Sequence, residues 1–138
     1  MNAPIARVSE IELHLLTIEA LNGRVLVRVV GVATDSIREQ IAADEADWEE
    51  WWQQHGKAQE VRPPRSVGER IFDSLTVRVV DDRSTEFRWV SGNSGGSGVE
   101  LLCEWLFEPG IPSEATSVTV VVTTADGAES SVTVDAAT

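Results

Sequence analysis

Seven short runs of alternating apolar residues, turn signals between them and a single stretch of helical periodicity predict a mainly β chain. The class that fits is a seven-stranded antiparallel β-sandwich of immunoglobulin-like type with one amphipathic helical insertion at about residues 36–55. The 138 residues lie in the range of one domain, and no repeat or linker divides them, so residues 1–138 read as a single sandwich domain.

Residues 1–7 read as a loose N-terminus. Residues 8–21 and 24–34 flank Asn22-Gly23, the strongest short hairpin signal, because a type I′ turn needs positive φ at both central residues. A two-residue turn pairs Ile18 with Val27, Leu16 with Val29, Leu15 with Val30 and Leu13 with Val32. Ile18, Leu16, Val27 and Val29 then share one face, and Leu13, Leu15, Val30 and Val32 the other. Both strands switch at the same rung, so a bulge there would let one hairpin serve two packed layers.

Ser36-Ile37-Arg38-Glu39 has the form of a capping box. Ile37, Ile41, Trp48, Trp51, Trp52 and His55 follow at helical spacing, with acids between them and Gly56 as the stop. Like charges such as Glu45 and Glu49 weaken such a helix in isolation, so packing of its apolar stripe must hold it. Residues 57–70 read as a loop, locally basic through Lys57, Arg62, Arg65 and Arg70 and suited to lie against the acidic helix.

The remainder reads as strands. Residues 71–80 alternate through Leu75, Val77 and Val79, and Asp81 to Ser84 form a turn. Residues 85–91 carry Phe87 and Trp89, residues 92–98 form a Gly-rich connection, and residues 99–107 place Val99, Leu101, Cys103, Trp105 and Phe107 on one face, with Trp89 and Trp105 reading as core. Residues 117–124 and 129–135 flank Asp126-Gly127, a second hairpin signal.

The net charge is −12, and neither Lys nor Arg follows Arg88. Such a chain repels phosphate backbones and anionic membranes, which argues against nucleic acid or a membrane as partner. It suits solubility, or an acidic face that steers a basic protein. Met1-Asn2-Ala3-Pro4 has no signal-peptide character, the apolar runs are too short for a span, and the single cysteine closes no disulfide, so a cytoplasmic location is expected.

The segment Asp81-Asp82-Arg83-Ser84-Thr85, with Phe87, the Gly-rich stretch, Trp105-Leu106-Phe107-Glu108-Pro109, Pro112 and Val118-Thr119-Val120, has a recognisable pattern. It resembles an immunoglobulin-like β-sandwich region of uncharacterised actinobacterial proteins. In these an aspartate turn precedes an aromatic strand, and a Trp-x-Phe-x-Pro strand precedes the last hairpin. The likeness covers about residues 71–135, and one Lys against ten Arg suits a high-GC source. Ser84 stands where the pattern usually has Gly, and Phe87 where it often has Tyr. The resemblance implies an architecture and carries no site.

Motifs for catalysis are lacking. His14 and His55 are the two histidines, and Cys103 sits in an apolar alternation that makes it packing rather than nucleophile. Glu100 and Glu104 share a strand face with α-carbons about 13 Å apart, wide of the roughly 5–9.5 Å of a glycosidase pair. Asp81 and Asp82 fit turn chemistry rather than a calcium loop, and no spacing fits zinc. The Gly-rich stretch lacks the Lys-Ser/Thr ending of a phosphate loop. The expectation is a protein without enzymatic activity, cofactor or metal.

The most unusual feature is Trp48, Trp51 and Trp52 on an acidic helix. The plain structural reading docks them on Leu102 and Leu106, the apolar residues of the outer face of the Glu100–Glu108 strand. The functional reading leaves some of them exposed as a binding surface, with His55 beside them, since tryptophan is enriched at binding hot spots. The leading expectation is therefore a protein-interaction or accessory module, with another protein or a second copy as partner. The alternative is binding of a small molecule or glycan between the Trp-bearing helix and the sheet.

Overall fold

The structure is a computed structural model and describes residues 3–8, 11–31, 35–55, 67–97 and 100–136. Eight strands and two helices follow one another as β1 (Ala3–Val8), β2 (Ile11–Leu21), β3 (Arg24–Gly31), α1 (Asp35–His55), α2 (Val67–Asp73), β4 (Leu75–Asp81), β5 (Arg88–Ser97), β6 (Glu100–Glu108), β7 (Ser117–Thr124) and β8 (Glu129–Asp135). They form a five-stranded antiparallel sheet, β1-β2-β3-β6-β5, and a three-stranded one, β4-β7-β8. The core lies between the sheets. Leu13, Leu15, Val25, Val27, Val29, Leu101, Trp105 and Phe107 from the first sheet meet Leu75, Val77, Val79, Val118, Val120 and Val122 from the second.

The mainly β, two-sheet expectation holds, but the strands among the described residues number eight rather than seven. The eighth is β1, where a loose terminus was expected. Ile5 buries its side chain in the core, and the chain pairs with β2 through a register shift between Pro4 and Ala6. Proline is tolerated there because β1 is a sheet edge.

The β2–β3 hairpin forms at Asn22-Gly23, with Gly23 at φ 68°. Asn22 stays out of the left-handed region, so the turn is not type I′. Ile18 pairs with Val27 as expected, and the register then shifts between Leu15 and Thr17. Its effect is the reverse of the one anticipated. Leu15 falls opposite Val29 and Leu13 opposite Gly31, so both halves of β2 bury onto one layer. The residue absorbed at Leu16 restores the two-residue phase that the sequence breaks.

Three further boundaries differ. Ile71 and Phe72 belong to α2, not to the following strand, and Ser74 closes that helix by donating from Oγ to the Ile71 carbonyl at 2.7 Å. Thr85 to Phe87 are irregular, and β5 begins at Arg88. The Gly-rich stretch is largely strand, since Gly92 to Ser97 pair residue by residue with Trp105 to Glu100. The side chains of Ser36, Ile37 and His55, together with Gly56 and residues 57–66, lie outside the described residues, and with them the capping box, the helix stop and most of the basic loop.

Neighbouring strands stand about 4.8 Å apart, so a three-stranded sheet leaves roughly 10 Å of a five-stranded one uncovered. That is about the diameter of one helix. α2 occupies this place, in contact with β4, β5 and β6, and Ile71 and Phe72 complete the core there. α1 packs beside α2. Ile41 reaches the core, and Arg70 Nη2 meets Asp44 Oδ1 at 3.1 Å, the one part of the expected basic-to-acidic apposition that falls within the described residues. Among the described residues no helix is long and apolar enough to cross a membrane.

Candidate functional site

Trp48, Trp51 and Trp52 stand at i, i+3 and i+4, the spacing that brings side chains together on one face of a helix. The structure joins them into a cluster. Trp48 and Trp51 stack with centroids 5.5 Å apart, Trp48 and Trp52 stack at 6.4 Å, and Trp51 and Trp52 tilt against each other at 6.0 Å. Trp51 is half-buried, whereas Trp48 and Trp52 keep 48% and 56% of their surface exposed. Leu102 and Leu106 are half-buried on their strand, flanked by Arg28–Glu104, Arg24–Glu108 and Arg88–Glu108 ion pairs at 3.0, 3.0 and 3.3 Å.

The cluster sits in a negative field. Residues 35–55 hold seven carboxylates against one Lys or Arg, Arg38, and one histidine, His55. Asp44 is engaged by Arg70, and Glu50 accepts a hydrogen bond from Gln54 Nε2 at 3.3 Å. Asp47 and Glu49 flank Trp48 in sequence and are exposed.

The residues considered for catalysis are kept apart. Cys103 faces the core on the layer of Leu15 and Val29, and burial pushes its thiol up to about 12. His14 neighbours Leu15 and so points to the opposite face of the same sheet, with Nε2 3.2 Å from Glu12 Oε1. Glu104 binds Arg28, and the side chain of Glu100 lies outside the described residues. No group of three or more His, Cys, Asp or Glu side chains suited to a metal ion occurs among the described residues.

Asp81 and Asp82 act in a turn, as their spacing suggests. Burial works to raise the Asp81 carboxyl, but donation from Thr85 Oγ1 and from the Thr85 and Arg83 amides outweighs it and holds the group low. Asp82 reaches across the chain. Thr116 donates to it from both Oγ1 and the backbone amide, which holds its carboxyl at about 2. Ser84 adopts φ 56°, in the left-handed region that favours glycine.

Among the described residues, the surface clefts include three. One of 480 Å³ lies between β1 and the β7–β8 hairpin, and one of 610 Å³ surrounds Gly23, Phe87, Glu108 and Pro109. The third, 340 Å³, opens beside α2 between the edges of the two sheets and is lined by Phe72, Asp73, Leu75, Thr76, Val77, Trp89 and Trp105. None of the three draws on Trp48, Trp51 or Trp52. Trp89, expected in the core with Trp105, is 55% exposed. It lies opposite Phe107 on the inner side of an edge strand that the smaller sheet does not reach, a consequence of the five-to-three strand count. No family model, curated protein or solved structure matches the chain.

Proposed function

We propose that this chain is a non-enzymatic protein-interaction module whose contact surface is the tryptophan face of α1 and whose partner presents a basic, partly apolar surface. The observation that carries the reading is the stacked cluster with Trp48 and Trp52 about half exposed. Two large aromatic rings left in water on one helix face are unfavourable unless something covers them. The surrounding carboxylates select against a second acidic copy and for lysine or arginine, which tryptophan also attracts through its ring face. The sandwich serves as a rigid scaffold. Its immunoglobulin-like character rests on two packed antiparallel sheets, while pairing β2 and β3 in one sheet departs from the usual immunoglobulin order. A small molecule or glycan held between α1 and the sheet is the alternative, and the three clefts named above give it no support.

The test uses acrylamide quenching and a fluorescent amphipathic arginine–leucine peptide. The Trp48→Ala/Trp52→Ala variant is expected to lose the readily quenched part of the emission. It should also bind the peptide more weakly by over ~1 kcal/mol per residue, with its melting temperature little changed. Equal binding by variant and wild type would remove the helix as the contact surface.

A further inference from the structure

The cleft beside α2 has features that packing alone does not require. Phe72 stacks on Trp105 with centroids 5.0 Å apart and planes 9° from parallel, and Trp89 stands 6.4 Å from Phe72 at 48°. The arrangement is held firmly. Gly92 lies opposite Trp105, and a Cβ added there would stand 2.6 Å from Phe72 Cζ and 2.9 Å from the Glu104 carbonyl oxygen. The missing side chain is what lets the Phe72 ring lie against the strand. Trp89 is exposed yet oriented, because its indole N–H donates to the Ser91 carbonyl at 2.8 Å across the register shift between Trp89 and Ser91.

The charge on the described residues that line this aromatic corner has one sign. Of the seven lining residues only Asp73 is charged. It is the last residue of α2, the end at which a helix carries partial negative charge. The whole chain, at −12, adds a field of the same sign. A volume of 340 Å³ is at the small end of ligand sites. Aromatic faces, a carboxylate and no basic side chain among the described lining residues together favour a compact organic cation and disfavour anions.

We propose that this cleft binds a small alkylated ammonium group, held against the face of Trp89 and the Phe72–Trp105 stack, with Asp73 supplying the opposite charge. The site shares no residue with the tryptophan face of α1, and its occupancy does not depend on the function assigned to that face.

The experiment titrates the full chain with choline and, separately, with its uncharged isostere 3,3-dimethylbutan-1-ol, measuring affinity of wild type and variants by isothermal titration calorimetry and following the Trp89 indole N–H resonance in the wild type. Choline is expected to shift that resonance saturably, and the alcohol to bind about tenfold more weakly, the range of a cation–π contribution. Trp89→Ala should abolish choline binding with an unaltered melting temperature, and Asp73→Asn should weaken it several-fold. If Trp89→Ala alters the fold, Trp89→Phe substitutes for it and should reduce affinity while leaving saturation. The proposal fails if charged and uncharged ligands bind alike, if methyl glucoside binds in preference to choline, if choline gives no saturable shift, or if the Trp89 variants bind as wild type does.

Discussion

Asp81 and Asp82 are adjacent, yet their carboxylates serve different partners. Asp81 closes its own turn onto Thr85, and Asp82 clamps Thr116 at the entrance to β7. The Asp82 carboxyl lies at about 2 in the fold, against ~3.9 in an unfolded chain. The fold therefore favours its ionised form. The stability this supplies is present in full above about pH 4 and is lost as the pH falls through about 2. Asp82→Asn is expected to lower the melting temperature at pH 7, and the gap from wild type should close between about pH 4 and 2 in a series of thermal melts. Ser84 raises a separate point. Its φ of 56° is a left-handed conformation that costs a residue with a Cβ more than it costs glycine. Part of that difference is offset by the greater entropy glycine loses on folding. Ser84→Gly is expected to stabilise the protein by roughly 0.5–1 kcal/mol, measured as a shift in denaturation midpoint at constant slope.

The helices divide the aromatic residues between two uses. α2 is seven residues long and short of what holds a helix in water, so its existence rests on burying Ile71 and Phe72 in the gap left by the smaller sheet. α1 is three times longer, acidic, and attached through Ile41 and the Asp44–Arg70 pair, leaving its tryptophan face partly in water. Alanine substitutions separate these roles. Trp105→Ala, in the core and under Phe72, should cost ~3–5 kcal/mol. Trp52→Ala should cost less than ~1 kcal/mol, because little buried contact is lost. Equal losses in chemical denaturation would mean that the α1 cluster is a structural lid.

At the scale of the molecule, the five-to-three mismatch between the sheets organises the rest. It makes room for α2, brings α1 alongside, and leaves Trp89 exposed at the rim of a cleft. Net charge acts at the same scale. The excess of carboxylates gives any basic partner a long-range attraction that salt screens over about 8–10 Å. Binding of the arginine–leucine peptide is expected to weaken on moving from low to physiological salt, mainly through a slower association rate in stopped-flow measurements. A rate indifferent to salt would leave the acidic surface as a solubility device.

The sequence by itself determined the local features, because period two, period 3.6 and turn chemistry act between near neighbours. The α1 tryptophan spacing, the β7–β8 hairpin and the buried face of β6 were legible for that reason. The tertiary structure alone decided the features that depend on what lies across a gap. Ile5 makes β1 a strand only because a core receives it. The phase shift at Leu16 resolves to one layer because β3 runs uninterrupted beside it. Gly92 reads as a flexible loop until Phe72 is placed against it, and Trp89 reads as core until the second sheet proves two strands too narrow to cover it. Alternation assigns a residue to a face, but whether that face is covered depends on the width and position of the opposing layer, which residues distant in sequence set.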